Sequence, residues 1–223
     1  MSTLTKSDFE KVYKLLDAAT PVPFDCGMIC GAACCRDYDA DESDADSEIT
    51  EVNEVESVGD SDDDQDDVLG IFLLPGEDLV HDRDNPWLEW SAEPADEFDF
   101  PDSWTDPVWF VKCGGPEKCN REFRPIQCRT FPLMPYLDET GGFHLIWDDT
   151  ELPYCCPLLE ERAELQSEFI DAVSEAWRLL ITDPKIRDYV ILESEYRGSD
   201  VEYLLRGNVF CNARTGKSKR INQ

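Results

Sequence analysis

Phe24-Asp-Cys26-Gly-Met-Ile-Cys30-Gly-Ala-Ala-Cys34-Cys35 places four thiols within ten residues, separated by glycine, alanine and two apolar side chains. Thiolates repeated at short spacing around turn-forming residues can converge on one soft metal ion without straining the backbone. Small residues also let backbone amides turn toward the sulfurs, and such hydrogen bonds spread the negative charge that several anionic ligands would otherwise concentrate. This stretch decides the expected fold, because it makes ligation, rather than burial of oil-like side chains, the organiser of the first two thirds of the chain.

Working outward, two further groups of cysteines follow. Cys113-Gly-Gly-Pro-Glu-Lys-Cys119 is a second knuckle built on glycine and proline, Cys128 lies in Arg124-Pro-Ile-Gln-Cys128-Arg-Thr-Phe-Pro-Leu133, and Cys155 and Cys156 are adjacent. Arg124 and Arg129 flank Cys128, and positive charge beside a thiol is expected to lower its pKa and favour the ligand form. Together these motifs resemble the YkgJ-type cysteine-cluster family of zinc- or iron-chelating proteins, named for a CxxCxxCC signature. Arg124-Pro125-x-x-Cys128-Arg129-x-Phe131-Pro132-Leu133 looks like that family's second landmark, and Gly70-Ile-Phe-Leu-Leu-Pro-Gly-Glu77 like the segment preceding its later cysteines. The resemblance spans about Asp25 to Pro157, with three residues rather than two between Cys26 and Cys30 and between Cys30 and Cys34. It implies metal binding and does not supply a reaction.

The candidate metal ligands are therefore Cys26, Cys30, Cys34, Cys35, Cys113, Cys119, Cys128, Cys155 and Cys156. Neighbours along an extended backbone point in opposite directions, so each adjacent pair is expected to send one sulfur to the metal and the other elsewhere. Counting each pair once leaves more positions than one tetrahedron takes, which implies either two ions or one four-thiolate site with packing cysteines beside it. Zinc is the expected metal, since it accepts any set of four thiolates and needs no redox poise; iron or an iron-sulfur cluster is the alternative. The bacterial ferredoxin spacing is absent. Cys211, isolated beside Val209 and Phe210, reads as a buried thiol.

Disulfides would be the other use for ten cysteines. Met1 to Thr20 carries Lys6, Asp8, Glu10, Lys11, Lys14 and Asp17, which leaves no apolar stretch for a secretory signal. No segment reaches the roughly 18 apolar residues of a membrane span. A cytoplasmic setting with reduced thiols is the expectation, and there clustered cysteines serve as metal ligands or redox groups.

Charge narrows the partners. Twenty Lys and Arg stand against fifty Asp and Glu, a formal net charge of -30 with a pI near 4.1. Such a surface repels nucleic-acid phosphates and anionic lipid, leaving a metal ion and a protein as partners. Sixteen of the acids fall between Asp37 and Asp67, where there is no Lys or Arg and few large apolar residues. That composition cannot offset the entropy of ordering it, and a disordered insertion is expected there.

Around the cysteines the periodicities are short. Phe9, Val12, Tyr13 and Leu16 predict a helix over about Asp8 to Ala19, with Ser7 and Glu10 as its capping box. Val68 to Leu74, Val108 to Val111 and Phe143 to Trp147 read as strands, the last following a Gly141-Gly142 hairpin signal. Asn85 to Pro107 reads as an irregular, aromatic-rich segment that plugs a core. Leu158 through Leu180 predicts one long amphipathic helix, and Asp183-Pro184 starts a second that runs to Leu192 or Glu193. From about Asn212 the chain is polar and basic, as a frayed tail is.

Other motifs are weaker. The Gly216-Lys217-Ser218 triplet lacks the earlier glycine and following helix of a phosphate loop. His81 and His144 are expected to be satisfied structurally, Glu77 to be a solvated carboxylate, and no nucleophile, base and acid arrangement stands out. The sequence thus predicts an α+β protein. Residues 1–157 form an N-terminal helix and an irregular, metal-stabilised cysteine-cluster region with a few short strands, and residues 158–223 a helical segment packed on it. The expected function is non-enzymatic chelation or binding; the alternative is a redox protein using vicinal cysteines or an iron-sulfur cluster.

Overall fold

The computed structural model describes residues 2–24, 26, 31–35, 70–113, 121–148, 150, 152, 154–198, 201–205, 209–212 and 218–220. The acidic stretch 37–67, Cys30 and Cys119 lie outside them. Among the described residues the fold is α+β: two antiparallel sheets and five helices.

Helix α1 (Lys6–Asp17) buries Phe9, Val12 and Leu16. It starts two residues earlier than the periodicity suggests, because Thr5 caps it and Asp8, not Glu10, reaches back: the Asp8 carboxylate accepts from the Thr5 N–H at 3.0 Å and hydroxyl at 2.7 Å. These bonds hold the Asp8 carboxyl well below the usual carboxylate range.

The first sheet has the order β1-β3-β2, with β1 (Gly70–Phe72) and β2 (Leu88–Glu93) both antiparallel to the central β3 (Val108–Cys113). Strand β2 comes from the stretch expected to be irregular; of the aromatics expected to plug a core there, Trp87 and Trp104 are buried, Trp90 and Phe100 are half-buried, and Phe98 is exposed.

The second sheet has the order β4-β5-β6-β7-β8. Strands β4 (Leu133–Leu137) and β5 (Phe143–Trp147) form the glycine-marked hairpin, and the Asp138 N–H bonds to the Gly142 carbonyl at 3.0 Å. β4 contains Pro135, which an edge strand tolerates because the missing N–H faces away from the ladder. On that outer side the Leu137 N–H is taken by the Ser194 hydroxyl at 3.0 Å. Strands β6 (Glu202–Leu205), β7 (Val209–Asn212) and β8 (Ser218–Arg220) extend this sheet. The C-terminal segment is therefore part of the sheet as well as helical, and the tail returns at residues 218–220 as a strand.

The expected long helix is broken. Helix α2 (Ile126–Thr130) precedes β4; α3 (Pro157–Glu160) ends where Arg162 takes a φ of 48°, and α4 (Ser167–Leu180) begins afresh. The break is fastened to the end of α1: Gln166 donates its side-chain amide to the Thr20 carbonyl and its N–H to the Pro21 carbonyl, both at 2.9 Å. Helix α5 (Pro184–Arg197) starts as the Asp-Pro signal predicts, with the Asp183 carboxylate accepting the Lys185 and Ile186 N–H groups.

One apolar core joins these parts. Phe9, Val12 and Leu16 of α1 meet Phe169, Val173 and Trp177 of α4, Ile186 and Val190 of α5, and Leu133, Leu145 and Trp147 of the second sheet. The cysteine-bearing segments lie beside this core, with smaller clusters of their own. No helix among the described residues is long and apolar enough to cross a membrane.

Candidate metal centre

Six of the nine candidate ligands have described side chains, and four separate segments deliver them. Cys26 occupies a turn after the Pro21–Phe24 bends, and Cys34 sits in a 3-10 turn, Ala33–Cys35. Gly31 and Ala32 precede that turn with φ of 63° and 58°, a left-handed pair that glycine enters freely and that alanine enters against its Cβ. Cys113 ends β3, opposite Leu88 of β2. Cys128 is in the middle of α2, and Cys156 caps α3.

These segments come within electrostatic range of one another. Cys34 and Cys113 both act electrostatically on Cys128, and Tyr154 feels Cys34, Cys156 and Cys128. Cys26, Cys156 and Tyr154 share an apolar cluster with Val22 and Leu158. Residues separated by some 120 positions in sequence are thus gathered around one tyrosine. The vicinal pair 155–156 divides as alternation requires. Cys156 is buried, while Cys155 is exposed beside the Glu160 carboxylate, which raises its pKa. Cys35 lies in the 3-10 turn with its side chain outside the described set, as is that of Cys211 in β7.

Burial, followed by the charges of Cys34 and Cys113, pushes the Cys128 thiol up to about 12, with Arg124 pulling the other way. The residue is nonetheless exposed. The flanking arginines were expected to lower this pKa, and they do not prevail. Arg129 turns away from the sulfur: its buried guanidinium pairs with Asp17, donates to the Arg124 carbonyl at 2.7 Å and the Glu122 carbonyl at 2.8 Å, and lies 4.5 Å over the Tyr13 ring. Burial likewise raises Tyr154, with Cys34 the next cause.

Bound metal takes the thiolate form and releases the proton, so a cation would offset the cost of ionising neighbouring thiols. The chemistry of the donor set suits a soft ion. As placed, no group of three or more His, Cys, Asp or Glu among the described residues is arranged to hold one. What is present is a neighbourhood of sulfurs rather than a closed shell.

Sequence reasoning missed Glu77. Expected to be solvated, it is fully buried, and its carboxylate accepts the Leu74 N–H at 3.0 Å, the Ile126 N–H at 2.7 Å and the Tyr13 hydroxyl at 2.7 Å. Gly76 before it has a φ of 92°, and a Cβ there would lie 2.9 Å from the Ser2 Cβ, so the turn that delivers Glu77 requires glycine. His81, 2% exposed, puts Nε2 2.7 Å from the Tyr13 oxygen. Since Tyr13 donates to Glu77, His81 donates to Tyr13. Both histidines are satisfied, His144 by Asp138 at 2.8 Å.

No family model matches the sequence, and no curated protein or solved structure matches it either.

Proposed function

We propose that this chain is a metal-binding cysteine-cluster protein, a chelating or binding module that takes zinc in preference to iron. The observation that carries the reading is that Cys34, Cys128 and Cys156, from three parts of the chain, lie within electrostatic range of Tyr154, with Cys113 within range of Cys128. The resemblance to the YkgJ-type family supports the same reading. Cys26 stands beside Cys156, and Cys30, Cys35, Cys119 and Cys155 complete the proposed donor pool.

Zinc would supply the positive charge that this pool lacks and would tie the loops together; the protein supplies the donors and their spacing. Reduced thiols suit a reducing, cytoplasmic setting. A net charge of -30 favours a cation, or a protein with a basic face, over nucleic acid. The redox alternative keeps only part of its electrostatic motive, because Arg129 is committed to Asp17 and two carbonyls while Arg124 alone acts on Cys128.

Cobalt substitution tests the reading. Metal-stripped, reduced protein titrated with Co²⁺ should develop sulfur-to-cobalt charge-transfer absorption, and one equivalent of zinc per site should bleach it. Cys128→Ser and Cys34→Ser should each weaken or shift the bands. A titration that produces no sulfur-to-cobalt absorption would remove the proposal.

A further inference from the structure

Helix α2 is only five residues long, too short to hold its own shape, yet three of the residues around Cys128 are fastened from outside. Ile126 gives its N–H to Glu77, Gln127 gives its side-chain amide to the Phe72 carbonyl at 3.0 Å, and Arg129 is held by Asp17 and two carbonyls. Ile126, Arg129 and Thr130 are buried. Cys128, between them, is exposed.

A buried carboxylate is a costly anchor. Taking it from water is unfavourable unless hydrogen bonds saturate it, and an apolar side chain of similar size would often stabilise a fold as well or better. What a carboxylate provides and an apolar group does not is direction. Glu77 draws together the Leu74 turn, the first residue of α2 and Tyr13 of α1, and Tyr13 is held in turn by His81. Chains of such bonds polarise one another and fix a single geometry.

We propose that Glu77, supported by Tyr13, is the positioning residue of the Cys128 thiol, holding α2 so that this sulfur is presented to the metal before the ion arrives. The inference rests on the metal-binding reading above for its purpose, and on the hydrogen bonds alone for its geometry. Glu77 touches no ion in this scheme. It acts through the Ile126 N–H, as groups outside the ligand shell orient ligands in other metal sites.

The test compares Glu77→Gln, Tyr13→Phe and Ser194→Ala with the unaltered full-length chain, reduced and metal-stripped. Ser194→Ala breaks a buried bond between α5 and β4 and serves as a control for lost stability. Zinc affinity is read by competition with a chromophoric chelator, folding by near-ultraviolet circular dichroism and urea titration, and the alkylation rate of Cys128 against that of the exposed Cys155 by peptide mass spectrometry. Glu77→Gln should remain folded and lose about tenfold or more in zinc affinity. Tyr13→Phe should lose less, and Ser194→Ala should lose stability with its affinity unchanged. In the metal-stripped protein Glu77→Gln should alkylate Cys128 faster relative to Cys155. Unchanged affinity in folded Glu77→Gln, or losses of affinity that track stability in all three variants, would overturn the inference; if Glu77→Gln does not fold, Tyr13→Phe decides by the same readouts. If the unaltered chain takes no zinc, the metal reading fails while the alkylation ratio still decides whether Glu77 positions Cys128: an unchanged ratio rejects it.

Discussion

Trp177 and Cys128 stand for two regions held by different means. Trp177 is 2% exposed in a core that runs without interruption through α1, α4, α5 and the second sheet. Cys128 is exposed on a short helix whose neighbours are fixed by a buried carboxylate, a buried guanidinium and backbone carbonyls. The apolar clusters next to the thiols are small, Leu73 with Trp87, Leu88 and Val111, and Val22 with Cys156 and Leu158. Burial is roughly additive in area and forgiving of direction, whereas hydrogen bonds and metal ligation are directional and fail abruptly when one member is lost. The helical side should therefore answer to volume, and the thiol side to donor identity.

The largest effect expected is on the thiol side. A closed zinc site contributes about 10 to 16 kcal/mol of apparent binding free energy near pH 7, comparable with or above the net stability of a whole domain. Cys30→Ser and Cys128→Ser should each lower metal content and open the chain around the ligands to protease, measured by elemental analysis and limited proteolysis. Full metal retention would take those residues out of the ligand set. Next comes the core: Trp177→Ala should cost about 3 to 5 kcal/mol in urea unfolding. A small loss there would mean that the helical side is not the unit that burial makes it.

A smaller effect belongs to the seam between the N-terminus and α5. Burial alone would raise the Asp183 carboxyl, but bonds from the Thr3 N–H, the Thr3 and Ser2 hydroxyls and the Ile186 N–H outweigh it and hold the pKa below the usual carboxylate range. A depressed carboxyl contributes stability that is present above its unfolded pKa of about 3.9 and is lost as pH falls through the lower folded value. Asp183→Ala should cost about 0.5 to 2 kcal/mol near neutral pH and flatten the acid limb of a stability profile. An acid limb as steep in the variant as in the parent would assign that limb to other carboxyls. Smallest of all, deleting residues 37–67 or making Cys211→Ser should leave metal content and melting temperature nearly unchanged; a large loss from either would place acids or that thiol within the site.

The parts of the fold legible in sequence were those with a local physical signature. The Asp183-Pro184 cap, the apolar runs of β3 and β5 and the glycine hairpin between β4 and β5 carry their cause within a few residues. β4 hid behind Pro135, harmless only because the strand lies at the sheet's edge. The break between α3 and α4 hid because apolar spacing continues through Leu165, which is buried whether or not the backbone around Arg162 is helical. Of the candidate site, spacing picks out the cysteines as proposed donors, and alternation picks out the split between exposed Cys155 and buried Cys156. Glu77 could not be found, because its partners Tyr13, Leu74 and Ile126 are remote from one another in the chain and only the folded contact makes burial of a carboxylate tolerable. Nor could the direction of the Cys128 shift be read, since adjacency to two arginines says nothing of where a guanidinium turns.

Elemental analysis of the full-length chain, purified without air and without added metal, tests the central claim most directly. The account predicts a colourless protein with stoichiometric zinc and thiols that alkylate slowly until a chelator is added. A chain that emerges without metal, takes up none on titration, and has its cysteines freely reactive or locked in pairs as cystines would contradict it.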